Sequence, residues 1–246
     1  MMADLFGISY SPWTAKARWA LDHHKIPYRY REHLILFGMP ELRWRLRKFC
    51  GDVTVPALIA GNTRIMDSFE IASHVDVTGS GAPLFPEGAL PEIREINRLS
   101  EKALDCARAF TVFRILKDKE AQEEALPGFI PKTLKPWLRW LAPIGVNYIV
   151  REFNVRRKTE EGYEEDYREV LESFRRKLTD SGGSYLLGHF SFADVAAALA
   201  LQGVEPVDHP SLPMGPATRR IWRHPALAVD YKDLLAWRDG IFARHR

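Results

Sequence analysis

The run Thr54-Val55-Pro56-Ala57-Leu58-Ile59, then Gly61-Asn62, then Ile65-Met66-Asp67-Ser68, is the part of this chain that most restricts its fold. Proline cannot donate to a strand ladder, so Pro56 at the head of a short apolar strand marks an edge, a bulge or a cis peptide bond. A cis bond there would turn the backbone of Val55 outward, where an extended peptide could pair with it. The Gly61-Asn62 turn then brings a second short strand back, and Asp67-Ser68 opens an apolar helix. The free N–H groups and dipole of a helix start favour a carboxylate. The pattern predicts a small peptide-binding cleft.

The remaining sequence falls into two rhythms. Residues 3–76 alternate short strand-like and helix-like pieces. The pieces are a strand at Leu5–Ile8, a helix at Pro12–His24, a strand at Tyr28–Leu36, a helix at Pro40–Phe49, strands at Val55–Ile59 and Arg64–Met66, and a helix at Ser68–Val75. The order β-α-β-α-β-β-α predicts a mixed α/β unit over residues 1–78. Residues 79–91 are punctuated by glycine and proline and read as a linker. Residues 92–246 read as helices only, with apolar stripes such as Ile93, Ile96, Leu99, Ala103, Phe110 and Phe113. Ser191-Phe192-Ala193-Asp194 has the form of a helix-capping arrangement.

An insertion near residues 117–160 interrupts the helical part. Pro127, Pro131, Pro136 and Pro143 alternate there with Trp137, Trp140, Tyr148, Phe153 and basic residues. It reads as an added helix pair over the core, with a lid over a hydrophobic site or a membrane-resting patch as the sharper alternatives. The density of proline opposes a continuous amphipathic membrane helix.

Several classes are excluded by composition. The chain has 246 residues and a formal net charge of +3, too small to argue for nucleic acid. Its longest uncharged apolar run, Trp140–Val150, is far shorter than the roughly 20 residues a bilayer requires. No membrane association is expected. Two cysteines, Cys50 and Cys106, lie far apart in no metal or redox spacing, which points to a reducing compartment. Without a secretory pattern at the start, a cytoplasmic location is expected. The histidines lack ligand spacing, so no metal is expected. Cys50 reads as a buried or incidental thiol.

Three groups of residues together resemble a cytosolic glutathione transferase. They are Ser9-Tyr10-Ser11-Pro12-Trp13 with Lys16-Ala17-Arg18-Trp19-Ala20-Leu21, Val55-Pro56-Ala57-Leu58 through Asp67-Ser68, and Tyr185-Leu186-Leu187-Gly188-His189-Phe190-Ser191-Phe192-Ala193-Asp194. The resemblance covers nearly the whole chain apart from the insertion. It implies a thioredoxin-like N-terminal domain, an all-helical C-terminal domain, reduced glutathione as cosubstrate with no tightly bound cofactor, and a homodimer. Pro56 matches the family's cis-proline, and Val55 the residue whose backbone pairs with the cysteinyl part of glutathione. Asp67 and Ser68 match the pair that holds the γ-glutamyl end. Ser11 matches the catalytic serine of the serine-type classes, and Tyr10 and Trp13 would line the electrophile pocket with aromatic side chains of the first long helix.

Each of these residues also has a plainer reading. Ser11 before Pro12 is a good helix cap, with proline at the first helical position. Asp67-Ser68 is equally an ordinary helix start. Ser9, Tyr10 and Ser11 compete as the hydroxyl that faces the thiol, and regular alternation through Ile8 would point Tyr10 and Ser11 opposite ways. Asp194 is structural on either reading. The function the resemblance implies is transfer of the glutathione thiolate to a hydrophobic electrophile, with isomerase, dehalogenase and ether-cleaving variants open. The rival is a non-catalytic binding or scaffold protein on the same fold.

Overall fold

A computed structural model describes residues 2–35, 37–128 and 130–246, and for Arg156 the backbone only. Strand β1 (Ala3–Gly7), helix α1 (Pro12–His23) and strand β2 (Tyr28–Glu32) form a parallel β-α-β unit, with Leu5 opposite Tyr30. Helix α2 (Met39–Leu46) leads to the antiparallel strands β3 (Ala57–Ala60) and β4 (Thr63–Met66), and helix α3 (Ser68–Thr78) closes the unit. The sheet order is β2-β1-β3-β4. All seven expected elements are present, with shifted ends. Strand β2 stops at Glu32, short of the expected Leu36, which lies outside the described residues.

Alternation along β1 separates two apolar clusters. Ala3 and Leu5 enter the main core with Ala17, Trp19 and Leu21 of α1 and Ile71, Ala72 and Val75 of α3. Phe6 faces the other way, against Leu42 and Leu46 of α2, with Val53 and Ala57. Successive strand side chains point to opposite faces, so one strand serves both layers. The result is a thioredoxin-like sandwich with α1 and α3 on one side of the sheet and α2 on the other.

The rest is helical. The long α4 (Leu90–Ile115) is followed in the insertion by α5 (Lys119–Glu124), α6 (Lys135–Leu138) and α7 (Ala142–Glu152). Single 3-10 turns at Arg139–Leu141 and Val155–Arg157 flank α7. The expected helix pair is thus three short helices, broken where the prolines fall. Then come α8 (Glu160–Asp180), α9 (Phe192–Ala200), α10 (Pro216–Trp222), α11 (Pro225–Asp230) and α12 (Lys232–His245).

Every residue of α9 is buried, and the helix packs on α4 and α1. Its run of alanines allows that close approach. Just beyond it, Gly203 is fixed by sterics: a Cβ there would lie 2.3 Å from Ala107 Cβ of α4. The start of α9 carries the expected capping box. Asp194 accepts from Leu186 N–H (2.8 Å), Ser191 N–H (2.9 Å) and the Ser191 hydroxyl (3.2 Å). These bonds tie the Tyr185–Phe190 loop to the helix, and the box is structural.

Candidate functional site

Two helix starts, one cis peptide and one face of α4 make up the site. Helix α3 begins at Asp67, whose carboxylate caps it by accepting from Phe69 N–H (2.7 Å) and Glu70 N–H (3.2 Å). Asp67 itself has φ 74° and ψ 133°, a conformation an L-residue adopts at a cost of about 1–3 kcal/mol. Strain of this kind persists only where the surroundings impose it. Ser68, the next residue, is 1% exposed, and among the described residues its hydroxyl has no hydrogen-bond partner. Since Asp67 does the capping, Ser68 is not needed for it. A buried hydroxyl left unpaired costs about 1–3 kcal/mol, so its retention asks for a ligand.

The Val55–Pro56 peptide is cis, as the sequence predicts. It precedes β3, and Val55 lies outside the strand register with Ala57 as the first paired residue. Among the described residues, Val55 N–H and C=O make no hydrogen bond to other backbone. Val55 therefore offers both groups to an added extended segment beside the head of α3.

The β1–α1 connection gives the three hydroxyls different surroundings. Strand β1 ends at Gly7, and the chain turns with Ser11 N–H bonded to Ile8 C=O at 2.9 Å. The regular alternation expected through Ile8 is absent, because this turn intervenes. Ser9 is held away: its N–H (3.1 Å) and hydroxyl (3.4 Å) both donate to Glu32 Oε1. Tyr10 packs half-buried against the core, and burial, with the nearby Glu32 charge, pushes its phenol above the usual range. Ser11 precedes Pro12, and its side chain makes no capping bond. Ser11 is nonetheless the N-cap residue of α1, its carbonyl accepting from Ala15 N–H at 2.9 Å with Pro12 at the first helical position, and its hydroxyl stands at the positive end of the helix.

Trp13, in the first turn of α1, is positioned from α4. Its indole N–H donates to Glu101 Oε2, while Glu101 Oε1 accepts from the wholly buried Lys16 ammonium at 2.7 Å. Asn97 is a second acceptor for Lys16, at 3.1 Å. Proximity of the lysine and the indole holds the Glu101 carboxyl below the ordinary range although burial opposes this. Further along the same face, the Arg108 guanidinium carbon lies 4.3 Å from the centre of the Trp13 ring and 3.7 Å from that of Phe153. Of the aromatic side chains on α4, Phe110 is fully buried against Tyr167 and His224 and does not line the site, and Glu101 and Arg108 meet Trp13. The stripe that turned Phe110 inward leaves Glu101, Asp105 and Arg108 on the flank toward α1.

Sequence reasoning missed Lys16, Glu101 and Arg108. A lysine in the apolar face of a helix was the one available signal, since such a residue is buried only when paired. Cys50 is exposed rather than buried, and Cys106 is the buried thiol, its pKa pushed up to about 12 by burial. Among the described residues no cluster has the makeup of a metal site. Among the described residues no helix is long and apolar enough to cross a membrane.

A thioredoxin-like unit with a cis-proline before β3, followed by a helical bundle whose longest helix faces the first turn of α1, defines the glutathione transferase architecture. Residues 10–78 match the family described as glutathione S-transferase, N-terminal domain. Solved structures agree along the whole chain. A glutathione S-transferase of Methylobacterium radiotolerans, in complex with glutathione sulfonate, is 16% identical with a TM-score of 0.62, covering 99% of this chain and 92% of its own. A glutathione transferase family member of Pseudomonas fluorescens with bound glutathione is 18% identical with a TM-score of 0.62, covering 98% and 95%. Glutathione transferase F7 of Populus trichocarpa is 16% identical with a TM-score of 0.59, covering 99% and 94%. No curated protein sequence matches significantly. The family match is thus confined to residues 10–78, and along the rest of the chain the likeness to glutathione transferases is one of fold.

Proposed function

We propose that this protein is a glutathione transferase of serine type, which binds reduced glutathione and adds its thiolate to a hydrophobic electrophile. The observation that carries the reading is the buried, unpartnered Ser68 hydroxyl at the head of α3, beside the unpaired backbone of Val55. The γ-glutamyl carboxylate would take the Ser68 hydroxyl and the N–H groups at the start of α3. Asp67 would meet the γ-glutamyl ammonium, and Val55 would pair with the cysteinyl backbone. That arrangement puts the sulfur toward Ser11. Glutathione acts as cosubstrate, and two neighbours of this fold carry it, or its sulfonate, in their crystals.

The chemistry demands a thiolate. A free thiol has a pKa of about 8.5, and lowering it by roughly two units needs about 2.7 kcal/mol of preference for the anion. A hydroxyl hydrogen bond to a charged group supplies about 1.5–3 kcal/mol, and the dipole of α1 about 0.3–1 kcal/mol more. Ser11 therefore acts as an anion stabiliser and forms no covalent bond. The thiolate attacks the electrophile, by substitution or conjugate addition, in the space bordered by Tyr10 and Trp13. A homodimer in the cytoplasm is carried over from the family likeness.

The test is the ultraviolet absorbance of bound thiolate against pH, with Ser11→Ala and Tyr10→Phe compared to wild type. The expected result is a rise of about one to two units in the thiol pKa in Ser11→Ala, with glutathione affinity nearly unchanged. A rise in Tyr10→Phe alone would transfer the role to that phenol. Bound glutathione with no thiolate at neutral pH in wild type would favour the non-catalytic binding protein.

A further inference from the structure

We propose that Arg108 is the anion-recognition residue of the electrophile site, selecting electrophiles that carry a carboxylate. This rests on the reading of the cleft as a glutathione transferase site. Trp13 lies two residues beyond Ser11 on the first turn of α1, and Arg108 touches its ring face. The second ring on the same guanidinium, Phe153, ends α7, so the insertion reaches this site and walls it.

Ring contact engages the faces of a guanidinium and leaves its rim of N–H groups for polar partners. In Arg108 the rim is mostly unused. Nη1 donates to Asp105 at 2.8 Å, and among the described residues Arg108 donates no other hydrogen bond. Nε and Nη2 are not among the sealed polar atoms, and the side chain is 18% exposed. Two N–H-bearing nitrogens at a partly open edge match the paired oxygens of a carboxylate.

The surrounding charges leave a cationic surplus. Glu101 is committed to Lys16 and the Trp13 indole. Asp105 lies under the influence of both Arg108 and Arg157, and burial pushes its carboxyl upward, toward the neutral form. Lys16, Arg108 and Arg157 thus outnumber Glu101 and Asp105. Burial also works against the charge on Arg108, and a bound carboxylate would offset that cost. A residue serving only to brace α1 against the insertion would have no need of the free rim.

The experiment uses the full chain with a chlorodinitrobenzoate and its methyl ester, which share the ring and leaving group and differ in charge. Dissociation constants are measured by calorimetry with S-methylglutathione filling the thiol site, and kcat/KM is measured with glutathione. Wild type is expected to prefer the acid by about tenfold or more, as for a charge-assisted hydrogen bond. Arg108→Gln should bring the two probes near parity, and Arg108→Lys, which keeps the charge but loses the planar rim, should retain part of the preference. Equal binding of acid and ester by wild type would overturn the proposal. So would an equal loss of both probes in Arg108→Gln, the mark of a purely structural brace. A wild-type binding preference that Arg108→Gln abolishes, without conjugation of either probe, would uphold the anion site and refute the catalytic reading.

Discussion

Ser68→Ala is predicted to move stability and ligand affinity in opposite directions. The Ser68 hydroxyl is sealed from solvent and has no partner among the described residues, while Asp67 caps α3. Removing a buried unpaired hydroxyl recovers about 1–3 kcal/mol, less the small packing loss of one oxygen. The free variant should therefore be more stable by about 1 kcal/mol, equivalent to about 2–4 °C in Tm for a chain of this size. With glutathione the sign reverses, because the hydroxyl then meets a carboxylate. Loss of such a bond costs about 1.5–3 kcal/mol, or about tenfold to a hundredfold in Kd. Denaturant unfolding of the free protein and calorimetric titration with reduced glutathione measure the two effects separately. A destabilised free variant would show that the hydroxyl has a structural partner, and an unchanged Kd would remove Ser68 from the binding site.

Other substitutions probe the supports of the site. Asp67→Ala should destabilise the free protein by about 1 kcal/mol or more through loss of the cap. Asp67→Gly should cost less, because glycine adopts the positive φ without a Cβ penalty; denaturant midpoints check the order. Glu101→Gln would leave Lys16 buried without its counter-charge. The expected loss is about 2–3 kcal/mol, below the value for a sealed pair because Glu101 is a third exposed. Unfolding curves measure that loss, and unchanged stability would mean that Asn97 suffices. Burial raises the Asp194 carboxyl to about 6 in the folded chain, above its unfolded value. Its stabilising contribution is therefore complete below the unfolded value and lost as pH rises through about 6. Wild type should gain stability relative to Asp194→Asn as pH falls from about 7 to about 5, as read from paired denaturant curves.

The parts of the site legible in the sequence are those set by local chemistry. A proline at a strand head and an Asp-Ser pair before an apolar helix announce themselves within a few residues, and the structure places Val55, Pro56, Asp67 and Ser68 as those rules require. The capping box at Ser191 and Asp194 is legible for the same reason: its partners lie three residues apart. The hydroxyl beside α1 was not legible, because three candidates are adjacent. Their surroundings differ only through residues far along the chain, such as Glu32 on β2, which accepts from the Ser9 hydroxyl.

Sequence alone, then, determined the order of elements, the break between the mixed sheet and the helical part, and the two helix starts. Periodicity, prolines and caps act over a single turn or strand, so the residues that specify them lie side by side. Only the tertiary structure decided which side of α4 meets α1. The apolar stripe of that helix had to enter the core with α8 and α9, which buried Phe110 and brought Glu101 and Arg108 to Trp13. Lys16 and Glu101 lie 85 positions apart. No local rule pairs them; they meet because a buried ammonium must find a carboxylate, and the packing of α1 on α4 supplies it.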